Sequence, residues 1–259
     1  MLETRQILAR ADAAERLPTM GGMARPNGVV IISERYWAFA GVDGSLREGV
    51  MSARPTILRG VPLVRGLAKL AASLSPVFRR RGVTGARERA LLALALVAPF
   101  LFFLLPEAMR FPAGIALAAA LVLWLLRGRT LRLHGAEHRA IAAAETRQLA
   151  PTWAGSARPS RFSPRCGTNF AALVLPVTFL ADRAWPLAPA LYTPLLVTLL
   201  SLALTMELWQ AIQVSGRRFF SPLLLPGLGL QRLTTREPSL EETRAALTAV
   251  ASVLRRELA

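Results

Sequence analysis

A single cysteine, Cys166, stands in the whole 259-residue sequence. An internal disulfide is therefore excluded, and a reducing compartment is the natural setting. Histidine is nearly as scarce, with two residues, and Lys69 is the only lysine. The first 25 residues mix acids with bases and hold no apolar h-region, so no secretory leader is expected there. Most conspicuously, charge is missing from four blocks. These are Ala90–Pro106, Phe111–Leu126, Phe170–Ala181 and the longer stretch Trp185–Met206.

Those blocks set the class. Apolar residues make up 53% of the chain, yet they do not recur at a period of 2 or 3.6 as a soluble core requires. Roughly 20 apolar residues cross a bilayer, with about 17 as a working minimum. The fourth block exceeds that length, the first two sit near it, and the third is short. Because the blocks come as two close pairs, they read as two helical hairpins turning at 107–110 and 182–184. The expected fold is mainly α, a polytopic membrane protein of about four spans. The competing reading is a soluble helical protein with buried hairpins, against which four uncharged blocks weigh.

Charge placement supports the membrane reading separately. Of 32 Lys and Arg residues, Arg110 and Arg183 lie in the hairpin turns and the other 30 lie outside the four apolar blocks and their turns. Four spans put the remaining segments on one side, and the positive-inside tendency makes that side the cytoplasm. The expectation is a bacterial inner-membrane protein with both termini cytoplasmic. Its segments are 1–88 (cytoplasmic), 89–127 (first membrane hairpin), 128–169 (cytoplasmic loop), 170–208 (second membrane hairpin) and 209–259 (cytoplasmic). Insertion is expected to depend on the first hairpin. The arginine clusters flanking the spans are expected to contact anionic lipid headgroups. Topology alone accounts for them, so no nucleic-acid partner is inferred.

Along the chain, residues 1–20 suit a polar helix. Gly28–Ser33 and Tyr36–Val42 are β-rich runs followed by Asp43-Gly44, a small hairpin or meander. Leu58–Phe78 has helical apolar spacing with Arg65 and Lys69 between, suiting either an interfacial or an ordinary packing helix. Phe219–Leu230 is apolar but carries Pro222, Pro226, Gly227 and Gly229, so no regular helix is expected there. From Ser239, the run Ser-Leu-Glu-Glu reads as a capping box opening a last helix.

Both histidines fall in His134-Gly-Ala-Glu137-His138. On a helix, positions i, i+3 and i+4 share a face, so two imidazoles and a carboxylate converge. Glu145 lies two turns further on the same face. His-x-x-Glu-His is the inverted zincin spacing, in which two histidines hold a metal and the glutamate is a general base. Imidazole with carboxylate suits a divalent metal such as zinc, iron or manganese. The plainer alternative is a polar helix face meeting headgroups. Further on, Ser163-Pro-Arg-Cys166-Gly-Thr holds the cysteine in a turn, as a further ligand or as a small buried hydrophobe. Glu207 ends the fourth block and needs a partner there, either the metal or an arginine such as Arg165 or Arg217.

HGAEHRAI with Glu145, then PRCGTNF, a glutamate closing the last span, and PGLGLQRLTTREP at 226–238 together resemble the YqhQ family of bacterial membrane proteins. That resemblance covers the chain from about Gly21 to the last helix and implies a predicted metal-dependent enzyme. Members have a histidine before PRCG, where this chain has Ser163. The N-terminal motif also departs, reading GGMARPNGVVII here. The expected function is a metal-dependent, hydrolase-like membrane enzyme. Its metal candidates are His134, His138, Glu145, Cys166 and Glu207, and Glu137 is the catalytic base. The alternative is a scaffold, assembly or insertion factor binding a protein, anionic lipid or ribosomal partner through its basic face. A transport pathway would need intramembrane polar groups, which the blocks lack.

Overall fold

A computed structural model describes residues 2–51, 60–79, 82–101, 104–126, 129–187, 190, 192–214 and 221–259. The fold is mainly helical with a small antiparallel sheet near the N-terminus. Helix α1 (Leu2–Ala13) precedes strands β1 (Gly21–Arg25), β2 (Gly28–Ile32), β3 (Tyr36–Gly41) and β4 (Leu46–Val50). The strands pair in chain order as a meander, with Val30 opposite Phe39 and Ile31 opposite Ala38. β-Branched and aromatic residues dominate the two central strands, which suits a pleated surface. The β3–β4 turn is closed by Asp43 Oδ1, which accepts from the backbone N–H and the hydroxyl of Ser45. Gly44 takes φ 82°, a value that a side chain would strain.

Both faces of the sheet are covered, so β2 is buried throughout its centre. On one face lie α5 (Thr130–Glu145) and α10 (Leu240–Glu257). Their alanines Ala136, Ala140, Ala246 and Ala249 let the helices sit close against Val29, Ile31, Ala38 and Ala40. The other face buries Val30, Trp37, Phe39, Met51 and Val83. Short α6 (Leu149–Ala154) packs on α1. Its first two amides, Leu149 and Ala150, donate to the Asp12 carboxylate at 2.9 and 2.8 Å, an N-cap supplied by another helix. The expected capping box is present: Ser239 Oγ accepts from Glu242 N–H, and the Glu242 carboxylate accepts from Ser239 N–H.

A second group of helices comprises α2 (Val64–Phe78), α7 (Gly167–Arg183), α8 (Thr193–Val214) and α9 (Ser221–Thr234). Leu173, Ile212 and Leu224 form its buried centre. Helices α3 (Ala86–Leu101) and α4 (Glu107–Leu126) make the first apolar pair. Glu107 and Arg110, expected in the turn, belong to the first turn of α4, where Glu107 complements the helix dipole. Many of the described apolar side chains in these helices have no protein cover: Leu123 is 70% exposed and Leu175 is 75% exposed. Among the described residues one helix, over Thr193–Gln213, is long and apolar enough to cross a membrane. Helix α7 has 17 residues, about 25 Å at 1.5 Å per residue against a core of about 30 Å.

The segment expected to avoid a regular helix forms α9 over Ser221–Thr234. Pro222 stands in the first turn, where its missing N–H has no helical partner to lose. Pro226 forfeits one internal bond, which the close packing of α9 on α7 offsets. A Cβ on Gly227 would collide with Asn169, so glycine permits that approach. Residues 219–220 of the expected segment, Leu58 and Arg217 lie outside the described residues.

Candidate metal centre

Helix α5 presents two faces. Leu133, Ala136 and Ala140 enter the sheet core, while His134 and His138 point toward the turn before α7 and the end of α9. The helix ends at Glu145, and Arg147, two residues on, takes φ 58°. Its guanidinium donates to Ala11 O and Glu15 O, fixing that left-handed residue against α1. Gly135 lets the segment after α9 cross against α5: a Cβ there would strike the Arg236 carbonyl, while Arg236 N–H donates to Leu131 O at 2.9 Å.

Each histidine is locked through Nδ1. His134 Nδ1 lies 2.8 Å from Thr234 O, and His138 Nδ1 lies 2.7 Å from Arg161 O. A carbonyl only accepts, so both Nδ1 atoms carry the proton and both Nε2 atoms present a bare lone pair. His134 Nε2 is 3.2 Å from Cys166 Sγ and accepts a hydrogen bond from the thiol. His138 Nε2 is buried and has no hydrogen-bond partner among the described residues. The two rings meet edge-on with centroids 4.4 Å apart. One donor atom from each of His134, His138 and Cys166 lies within 4.8 Å of the others, so this group could hold a metal ion. Tetrahedral zinc places its N and S ligands roughly 3.4–3.8 Å apart, given bonds of about 2.1 and 2.3 Å. Meeting that geometry would open the 3.2 Å contact between His134 and Cys166 slightly and draw together the donors that stand up to 4.8 Å apart.

Cys166 is the N-cap of α7. Its sulfur receives Thr168 N–H at 3.4 Å and Thr168 Oγ1–H at 3.2 Å, donors that stabilise a thiolate. The turn holding it is clamped by Gln231, which accepts from Ser163 N–H and donates to Ser163 O. Asn169 donates to the same carbonyl. Burial pushes the Cys166 thiol up to about 11. Burial lowers His134, and burial with the neighbouring His134 lowers His138 to about 4, so both rings are neutral at pH 7.

Glu137 lies beside this group but turns toward the sheet. It packs against Gly22, where a Cβ would come within 2.9 Å of Glu137 Cγ. Burial raises its carboxyl to about 8, an effect that the Ala24 backbone N–H partly opposes. The other two carboxylates proposed as ligands are placed elsewhere. Glu145 pairs with Arg165 at 2.6 Å on the surface. Glu207 accepts from Arg65 and from Leu63 N–H, tying α8 to α2. Among the described residues Glu207 thus pairs with Arg65, while Arg165 pairs with Glu145. Sequence reasoning missed the supports Gln231, Asn169, Arg139 and Glu237. Arg139 is buried and donates to Glu237 at 2.7 Å, and Arg161 reaches the same carboxylate at 3.0 Å. Gln231 and Glu237 both stand within the motif at 226–238, the one signal that could have marked them.

Residues 126–256, just over half of the chain, match the family described as "Protein of unknown function (DUF1385)". The chain belongs to the DUF1385 family. The match runs from the end of α4 into α10 and so takes in the whole histidine–cysteine group with Gln231 and Glu237. The sheet lies before it. Neither the curated proteins nor the solved structures gave a match.

Proposed function

We propose that this chain is a multi-pass membrane protein with a divalent-metal centre, zinc by preference, at its cytoplasmic face, serving a hydrolase-like reaction. The single observation carrying the proposal is the buried Nε2 of His138, unpartnered among the described residues and grouped with the Nε2 of His134 and the Cys166 thiol. Buried polar atoms are normally satisfied, and a metal ion satisfies this one. Carbonyl-locked Nδ1 atoms are the usual second shell of metal-binding histidines. Three protein ligands would leave a fourth position open, as in catalytic rather than structural zinc sites. The ion would supply Lewis acidity. Glu137 would hold or accept a proton near neutral pH, as a general base must, while the α5 and α7 supports orient the donors. The likeness to the YqhQ family belongs with this proposal.

The membrane part of the proposal is supported by the arginine bias, the span-length α8 and the uncovered apolar side chains of α3, α4 and α7. Both termini would then be cytoplasmic and the basic segments would meet anionic headgroups. The substrate would be lipid-linked or membrane-proximal. One observation favours a second reading. The Glu137 carboxyl is held against β1, which fastens α5 to the sheet without any chemistry. In that case the protein is a non-enzymatic scaffold, assembly or insertion factor with a protein or lipid partner. Cobalt titration of the detergent-purified protein tests the centre: a tetrahedral visible spectrum with a thiolate charge-transfer band is expected. Glu137→Gln should keep that spectrum. Retained hydrolysis of membrane-proximal ester substrates by this variant would contradict the role of Glu137 as the base, and no hydrolysis by the metal-loaded wild type would contradict the enzymatic role.

A further inference from the structure

Helix α2 carries an apolar stripe that its packing does not use. At 3.6 residues per turn, Val64, Leu67, Ala71, Leu74 and Phe78 fall along one side, with Arg65 and Lys69 on the opposite side. Val64, Leu74 and Phe78 are 40%, 41% and 43% exposed. A third side meets α8: Gly66 is buried there, and a Cβ on it would lie 2.8 Å from Met206 Cβ. Single exposed apolar residues are ordinary, but a continuous row of them along a helix marks a contact. Both ends of the helix are fastened. At its start, the Glu207 carboxylate of α8 accepts from Leu63 N–H at 3.1 Å and from Arg65 Nε at 2.9 Å. At its end, Arg79 donates to Val50 O of β4 at 2.9 Å, and Val83 enters the sheet core. The helix therefore bridges the span-length α8 and the sheet. Between Glu48 and Glu88 the sequence has no acidic residue, while Arg54, Arg59, Arg65, Lys69, Arg79, Arg80, Arg81 and Arg87 are all basic.

We propose that α2 lies flat on the cytoplasmic surface of an anionic bilayer, its Val64–Phe78 stripe in the acyl boundary and its Arg65–Lys69 side toward water. This rests on the membrane reading given above and assigns the lipid contact to one helix and one face of it. Fifteen residues span about 22 Å, too short to cross a core of about 30 Å, so the helix rests on the bilayer and does not traverse it. Three observations select lipid over a protein partner. Helix α8, against which α2 packs, itself exposes Leu199 and Leu204, so the two helices share an uncovered apolar surface. The flanking charge has a single sign, which anionic headgroups complement. The stripe carries no polar side chain, whereas a specific protein interface adds hydrogen bonds.

The test places one fluorophore at a time on the full chain, in a Cys166→Ala background, through Leu74→Cys, Lys69→Cys or Leu175→Cys. Each labelled protein is reconstituted into vesicles of equal parts phosphatidylglycerol and phosphatidylcholine, and quenching by a nitroxide carried on the lipid acyl chain is measured. Position 175, on α7, reports whether the chain is in the bilayer at all. Quenching is expected at 175 and at 74, and at least about twofold less at 69, because the two sides of a helix stand roughly 10 Å apart. In vesicles of phosphatidylcholine alone, quenching at 74 should weaken. Quenching at 175 with none at 74 would overturn the proposal and leave the membrane reading standing. No quenching at either position would overturn both. Equal quenching at 74 and 69 would contradict the flat orientation, and quenching at 74 unchanged in phosphatidylcholine alone would contradict the anionic surface. If Leu74→Cys does not fold, Phe78→Cys on the same stripe decides by the same outcomes.

Discussion

Replacing Glu137 with glutamine removes a group that burial holds far from its ordinary titration. The folded carboxyl titrates at about 8 against an ordinary 4.5. The folded state therefore keeps the proton more tightly than the unfolded chain does. Stability from this group is intact below pH 4.5, falls as pH rises toward 8, and is level above that. Each pH unit in that window is worth about 1.4 kcal/mol. From 4.5 to pH 7 the loss is ~3 kcal/mol, and above pH 8 it approaches ~5 kcal/mol. Glutamine has the same shape and no charge to desolvate, so Glu137→Gln should be the more stable protein at pH 7 when metal-free. For a chain of this size ~3 kcal/mol corresponds to an unfolding temperature roughly 6–12 °C higher. The assay is thermal unfolding followed by tryptophan fluorescence in detergent, at one scan rate, from pH 4.5 to 8.5. The gap between variant and wild type should open with pH. Parallel curves for the two proteins would refute the buried, unpaired placement of Glu137. Adding zinc should narrow the gap, because a nearby cation favours the carboxylate.

Gly227→Val should drive α9 off α7 at Asn169, lowering stability by about 1–3 kcal/mol in thermal unfolding. Because Asn169 and Gln231 both hold the Ser163 carbonyl, the same variant should also lose metal by elemental analysis. Asp12→Ala removes the cap of α6, at a cost of about 1 kcal/mol, readable as a lower unfolding temperature. Glu207→Gln should loosen α2 from α8 while leaving metal content unchanged, since Glu207 pairs with Arg65 and lies outside the candidate ligand group.

The sequence made some of this legible. The β-rich runs at 28–33 and 36–42 became β2 and β3, and the capping box at Ser239 opened α10 where expected. The shared face of His134 and His138 follows from local helical spacing alone. Glu145 shows the limit of that reasoning. It lies on the same face, but seven residues at 1.5 Å each carry it about 10 Å beyond His138, too far to share an ion. Cys166 was within reach of the histidines only because Gln231 and Asn169 pin its turn, long-range contacts that no local pattern encodes. Helix α9 was misread because proline was weighed without its position: one proline is harmless in a first turn, and tertiary packing outweighs the other. β1 and β4 escaped notice because GGMAR and LREGV carry little β-propensity and form only by pairing with the strong central strands.

The most direct test of the metal centre is elemental mass spectrometry on the detergent-purified protein beside a His134→Ala/His138→Ala double variant. Near-stoichiometric divalent metal in the wild type, lost in the double variant while the fold is retained, is the predicted result. A wild type free of metal even after zinc, manganese or iron is supplied would contradict it, leaving the histidines and Cys166 as a hydrogen-bonded brace between α5, α7 and α9.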